Sequence, residues 1–196
     1  MIYCIANSKG GTGKTAFSVN LLHHLNVDFV VDVDTTHRGI SSILSLSENT
    51  IPVYVPATKE DIIKWADSGS NILFDCGGFD SDFTQYAISQ ADVIITPSND
   101  DPTEQFGLAN FNEVMRSVSD LVGEKLIAKV VINKVHPSRR DFSLMTEFVG
   151  RFDHLELLSI VIPMSASIPK SQFKGEAVKS GNIAAKFSKL ASLMLL

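Results

Sequence analysis

The sequence predicts one α/β domain: a doubly wound, mostly parallel sheet with helices on both faces. Three observations carry that expectation. Short β-branched runs alternate with helical patterns along the chain, the order of a parallel sheet wound by crossover helices. The inner runs VVDV, ILFD, VIIT and VVIN are nearly continuous in apolar residues, as strands covered on both faces should be. A length of 196 residues, 44% hydrophobic and 20% charged, supplies one full core and not two.

In chain order, residues 2–6 read as the first strand, and 14–25 as a helix with Phe17, Leu21 and Leu25 on one face. Residues 29–33 form the second strand, followed by a polar loop and a helix at 39–46. A short extended piece at 51–55 precedes a short helix at 59–66. Residues 71–74 read as a buried strand, 82–90 as a helix and 93–96 as a strand. A longer helix is expected at 103–118, then a strand at 128–132, a helix at 138–149 and a last strand at 155–162. Helical segments at 171–179 and 183–196 close the chain. No internal repeat, low-complexity tract or linker divides residues 1–196, so a single domain is expected.

Composition narrows the classes. No stretch approaches the roughly 18 apolar residues of a membrane span. The opening MIYCIANSKGG lacks the basic-then-apolar order of a secretory leader. Cys4 and Cys76 make neither a disulfide framework nor a CxxC metal pattern, so a reducing, cytoplasmic compartment is expected. His23, His24, His37, His136 and His154 show no ligand spacing and receive no role. The net charge of −5 is uneven: residues 1–124 hold 6 Lys+Arg against 17 Asp+Glu (−11), and residues 125–196 hold 11 against 5 (+6). The basic part can attract anions, or it can be solvated helix faces.

Ligands of such sheets bind beyond the carboxyl ends of the strands, so polar residues directly after strands are the candidates. The first is SKGGTGKT, residues 8–15, between the first strand and the first helix. Its three glycines, Gly10, Gly11 and Gly13, let backbone N–H groups converge on one point, and the helix N-terminus adds partial positive charge. Lys14 can reach β- and γ-phosphates, and the Thr15 hydroxyl can ligate Mg²⁺. A strict Walker A pattern needs glycine where Ser8 stands. The loop also carries a second lysine, Lys9.

The form x-K-G-G-x-G-K-S/T resembles the deviant Walker A loop of the ParA/MinD family of ATPases, and most closely its short partition type. The resemblance implies a P-loop NTPase fold that binds ATP with Mg²⁺ through Gly10, Gly11, Thr12, Gly13, Lys14 and Thr15. It implies that Lys9 crosses a dimer to the neighbouring subunit's phosphates while Lys14 acts on its own. In VDVDTTHRG it makes Asp34 the residue that orients the attacking water near the metal; Asp32 is read as capping the phosphate-loop region. Thr35-Thr36 replaces the family's Pro-Gln, which places the first switch loop outside the usual pattern. In NILFDCGG, Asp75 takes the Walker B role of holding Mg²⁺ through a water. Gly77 and Gly78 match the second switch, where the Gly78 backbone can sense the γ-phosphate. Asp92, Pro97, Pro102 and Gly107 match a scaffold and dimer surface. Asn133 is expected at the adenine edge, Lys134 over the base plane and Pro163 on its other side.

The resemblance runs through nearly the whole chain in order, and implies a protein without the N-terminal DNA-reading extension of larger relatives. The catalytic set it implies is Lys9, Lys14 and Asp34. Such proteins form homodimers around ATP, bind DNA non-specifically and release it after an adaptor or centromere-binding protein stimulates slow hydrolysis. Their place is the cytoplasm, with a nucleoid association. DNA contacts are expected from Arg139, Arg140, Lys170, Lys174 and Lys179. An alternative is a MinD-like ATPase cycling on membranes through its last helix, where Phe187, Leu190, Ala191 and Met194 stand at helical spacing beside Lys186 and Lys189. A helix packed on the sheet has the same pattern and is preferred. An iron–sulfur relative would need better-placed cysteines, and a biotin-pathway ligase a carboxylation lysine that the sequence does not offer.

Overall fold

The structure, a computed structural model, describes residues 1–48, 51–78 and 81–195. Alternate side chains of the first strand enter different cores: Ile2, Cys4 and Ala6 on one face, Tyr3 and Ile5 on the other. The strands are β1 (Ile2–Ile5), β2 (Phe29–Asp32), β3 (Val53–Tyr54), β4 (Ile72–Asp75), β5 (Val93–Ser98), β6 (Ala128–Val135) and β7 (Leu155–Pro163). They form one seven-stranded sheet in the order β3-β2-β4-β1-β5-β6-β7, every pair parallel. The helices are α1 (Lys14–Leu21), α2 (Gly39–Leu44), α3 (Lys59–Ala66), α4 (Asp82–Ser89), α5 (Pro102–Val122), α6 (Ser143–Val149), α7 (Ser167–Gln172) and α8 (Gly181–Met194). This is the α/β sheet the sequence predicts, covered on both faces.

One face packs Ile62, Ala87, Leu108, Phe111 and Met145 of α3 to α6 onto Cys4, Phe74 and Val130. The other packs Phe17, Leu21, Ile40 and Leu44 of α1 and α2, with Ile183, Phe187, Leu190 and Met194 of α8, onto Ile5, Leu73 and Val131. Phe187 meets Phe17 edge-to-face at 5.1 Å. Truncating such a fully buried aromatic costs about 3–5 kcal/mol. The apolar stripe of α8 is therefore core, as preferred above. Among the described residues no helix is long and apolar enough to cross a membrane.

Several boundaries differ from expectation, each for a local reason. Helix α1 ends at Leu21; Leu25 is still buried, reached through a turn in which its N–H bonds the Leu21 carbonyl. Helix α5 outruns the expected 103–118 at both ends. The Asp101 carboxylate accepts from Thr103 N–H, Pro102 needs no donor in the first turn, and Gly123 closes the helix at φ 75°. Residues 138–142 are loop, because the Asp141 carboxylate takes the Ser143 N–H and starts α6 there. The helix expected at 171–179 lies at Ser167–Gln172 instead. Gly175, at φ 67°, ends it where a Cβ would come within 2.6 Å of the Ile43 carbonyl oxygen. The last helix ends at Met194, with Leu196, the end expected for it, outside the described residues.

Candidate functional site

The sheet order places β1 between β4 and β5, so chains leaving β1 and β5 run to opposite sides. Residues 6–13 emerge at that switch point. Asn7, buried at the start of the loop, donates from its amide to Thr96 Oγ1 and the Pro97 carbonyl and accepts the Lys9 N–H. Gly13 has φ 100° and no room for a side chain, since a Cβ there would lie 2.6 Å from Asn133 Nδ2. The loop is thus wound by its glycines and held by its protein neighbours.

Lys14, 6% exposed, donates from Nζ to the Lys9 carbonyl at 2.9 Å. Burial lowers its pKa, against the opposing pull of Asp75, Cys76, Asp34 and Glu104. Thr15 and Ser18, three apart on α1 and so on one face, both donate to Asp75, at 2.9 and 2.6 Å. Asp75 is 1% exposed at the end of β4. Burial pushes its carboxyl up to about 7, more than the two hydroxyl donors lower it.

Asp32 lies opposite Asp75 in the strand register and is also buried. Its Oδ2 accepts the Ser41 N–H at 3.0 Å and the Ser41 hydroxyl at 2.6 Å. It anchors the first turn of α2, not the phosphate loop as expected from the sequence. Asp34, one step beyond the strand, is partly exposed and meets His37, whose N–H donates to Oδ1 at 3.0 Å. Just past β4, a Cβ on Gly77 would lie 3.0 Å from the Asp34 carboxylate, and one on Gly78 2.6 Å from Gly10 Cα. Glycine at 78 lets this segment, expected from the sequence to be the second switch, lie directly against the phosphate loop.

These elements enclose a cleft of ≈ 780 Å³ lined by Gly10, Gly11, Gly13, Lys14, Thr15, Asp34, Gly78 and Lys134. A second cavity of ≈ 430 Å³, lined by Asn133, Lys134, Pro163 and Phe17, shares Lys134 with it. Asn133, 3% exposed, donates to the Thr12 carbonyl at 2.8 Å, and Lys134 Nζ donates to the Gly11 carbonyl at 2.6 Å. Both brace the phosphate loop, a task the sequence reading did not give them. Thr12 is itself buried.

Lys9 is turned away from the cleft. Its Nζ lies 2.8 Å from Thr103 Oγ1 and 2.9 Å from Glu104 Oε1, on the first turn of α5. Gly107 on the same helix makes room for its stem: a Cβ there would lie 3.0 Å from Lys9 Cβ. The five basic residues expected to contact DNA, Arg139, Arg140, Lys170, Lys174 and Lys179, are all exposed. Arg139 faces Asp100 at 2.9 Å and Lys179 faces Glu176 at 2.9 Å. Arg140 Nη1 bonds the Pro137 and Arg139 carbonyls. No acid pairs with Lys170 or Lys174 at ion-pair distance among the described residues.

Five residues escaped the sequence reading: Asn7, Ser18, His37, Ser41 and Glu104. Only Ser18 left a readable signal, its spacing of three from Thr15 on a helix. The buried thiols of Cys4 and Cys76 lie 3.6 Å apart, and contact with Cys4 followed by burial raises the Cys76 pKa well above its ordinary value. His154 is buried against the Leu126 carbonyl and Ser119, a packing role. Among the described residues no cluster of three or more His, Cys, Asp or Glu could hold a metal by itself. The oxygen donors Thr15, Asp75 and Asp34 suit Mg²⁺ that is shared with phosphates. Thr15 Oγ1 spends its proton on Asp75, which leaves the hydroxyl lone pairs for a cation.

The profile of the CobQ/CobB/MinD/ParA nucleotide-binding domain matches residues 3–178. No curated protein sequence matches. Among solved structures, MinD from Pyrococcus horikoshii OT3 complexed with Mg-ADP has TM-score 0.76 at 20% identity, over 98% of this chain and 94% of that one. A MinC:MinD cell division protein complex from Aquifex aeolicus gives 0.72 at 17% identity, covering 99% and 95%. A ParA family ATPase from Chlorobium tepidum TLS gives 0.71 at 14% identity, covering 100% and 98%. At such identities the structural likeness is one of fold.

Proposed function

Because the chain belongs to the CobQ/CobB/MinD/ParA nucleotide-binding domain family, we propose that it is an ATP-dependent dimerising switch ATPase serving DNA partition or intracellular positioning. The observation that carries the reading is the phosphate cradle: a buried lysine inside a glycine loop, with the Thr15 hydroxyl fixed by a buried aspartate, beside a cleft of ≈ 780 Å³. The backbone N–H groups of Gly10–Thr15 would hold phosphate oxygens, with Lys14 on the β- and γ-phosphates. Thr15, Asp75 and Asp34 would hold Mg²⁺, which neutralises phosphate charge when bound. The neighbouring cavity, between Asn133, Lys134 and Pro163, would take the base.

Hydrolysis would need the second lysine. Lys9 would leave Glu104 and cross to the phosphates of a second copy, adding a cation where charge spreads in phosphoryl transfer. Asp34 would orient the attacking water. After phosphate leaves, the contacts that hold the pair disappear and the dimer parts. A slow basal rate, raised by an adaptor protein, follows from such a switch.

DNA would be held in the dimer through phosphates by the exposed Arg140, Lys170 and Lys174, with Arg139 and Lys179 first exchanging their acids. The burial of the α8 apolar face is the reason a membrane-cycling role is not adopted. Analytical ultracentrifugation with ATP, ADP or no nucleotide, with and without DNA, tests the scheme. The expected result is a dimer with ATP alone, and DNA co-sedimenting only with that dimer and less so as salt is raised. A monomer under all three nucleotide conditions would overturn it.

A further inference from the structure

We propose that His37 is a positioning residue for ATP hydrolysis, holding the Asp34 carboxylate in the orientation that directs the attacking water. The inference rests on the ATPase reading above and adds a residue to it. His37 grips Asp34 twice. Its backbone N–H donates to Oδ1 at 3.0 Å, and its ring Nδ1 lies 3.2 Å from Oδ1 and 3.3 Å from Oδ2. One backbone bond leaves a carboxylate free to rotate about its Cβ–Cγ axis. A ring N–H shared between both oxygens removes that freedom, and donation from Nδ1 fixes the tautomer.

The surrounding backbone is shaped for this grip. Arg38 N–H bonds the Asp34 carbonyl at 2.9 Å, which closes residues 34–38 into a turn, and Arg38 itself sits at φ 49°. Gly77 also lies against Asp34, where a Cβ would crowd the carboxylate at 3.0 Å. Among the described residues, the hydrogen bonds recorded on this carboxylate come from His37 alone. Thr35 and Thr36, which stand where the family has Pro-Gln, make no such contact. In this chain the water-directing acid is oriented by the residue three positions on, much as a general base is oriented by a third group.

The His37 side chain is 80% exposed, so the fold does not depend on it. That separates positioning from structure in a test. His37→Ala removes the ring contact and keeps the backbone one; His37→Asn restores a side-chain N–H near the Nδ1 position. Single-turnover hydrolysis of ATP by excess protein, binding of a fluorescent ATP analogue and the thermal midpoint would be measured for each. The expected result is a rate lowered by roughly ten- to a hundredfold in His37→Ala, with analogue affinity and midpoint unchanged and much of the rate recovered in His37→Asn. An unchanged rate in His37→Ala overturns the role while leaving the ATPase reading intact. So does a loss that appears only in analogue affinity, or one that His37→Asn does not relieve. A wild-type protein that binds ATP and turns none over overturns the reading itself, and this role with it.

Discussion

The floor of the cleft and its rim are built on opposite terms. On the floor, Asp75, Thr15, Ser18 and Lys14 are tied to one another and to the loop backbone, with Asp75 and Lys14 nearly sealed from solvent. At the rim, Asp34 is partly exposed and held by His37, while Lys9, also partly exposed and turned away from the cleft, pairs with Glu104. Contacts in a buried, low-dielectric floor are strong and persistent, whereas a partly exposed ion pair such as Lys9–Glu104 is worth little and exchanges readily. The floor is a network of buried hydrogen bonds. The rim holds the groups proposed above for catalysis.

Four experiments test the difference between floor and rim. The largest effect is expected from Lys9→Ala: turnover falling by roughly a thousandfold or more, ATP-driven dimerisation lost, and nucleotide binding by the monomer largely spared. ATPase assays with sedimentation check this, and normal turnover in the variant would put the rim lysine outside the chemistry. Next is a pH effect confined to the floor. The Asp75 carboxyl sits near 7 when folded against 3.8 ordinarily, so between those values the folded state keeps a proton that the unfolded chain has released. Stability of the nucleotide-free protein should therefore fall as pH rises from about 4 to about 7, by up to about 4 kcal/mol, and then level off. Urea titrations at several pH values should show much less of that slope in Asp75→Asn. The buried Asp32, also raised chiefly by desolvation, contributes a remainder of the same sign.

Third, Gly78→Ala pushes a methyl to 2.6 Å from Gly10 Cα, where backbone must give way, and should destabilise by about 1–3 kcal/mol. Gly10→Ala meets nothing within 4 Å and should stay within about 0.5 kcal/mol. Equal losses by denaturant melts would mean the second switch does not press on the loop. The smallest effect belongs to Glu104→Gln. Removing a pair of this kind, worth about 0.2–1 kcal/mol, frees Lys9 and should strengthen ATP-driven dimerisation by up to about fivefold. Dimerisation weakened by the change would make Glu104 a part of the dimer instead of a resting place.

Legibility followed the same division. The sheet was readable because strands covered on both faces must be apolar throughout, and the loop because a glycine-rich G-K-T turn between strand and helix has few uses other than holding a phosphate. Boundaries were less readable where a single side chain decides: Asp141 delaying α6, or Gly175 ending α7 because another loop passes there. Asp32 misled for that reason. A carboxylate at a strand end has several donors in reach, and only the approach of α2 made Ser41 the one it met.

What the sequence determined by itself is local: the periodicity that makes strands and helices, the turn that only glycines can make, and the residue types that can face a phosphate. Those depend on neighbours along the chain. The tertiary structure alone decided which acid holds which hydroxyl, that Asn133 and Lys134 brace the loop across more than a hundred residues, and that Lys9 rests on Glu104. Such pairings are set by which strands lie side by side, and the sheet order that brings them together leaves no mark in any one stretch of sequence.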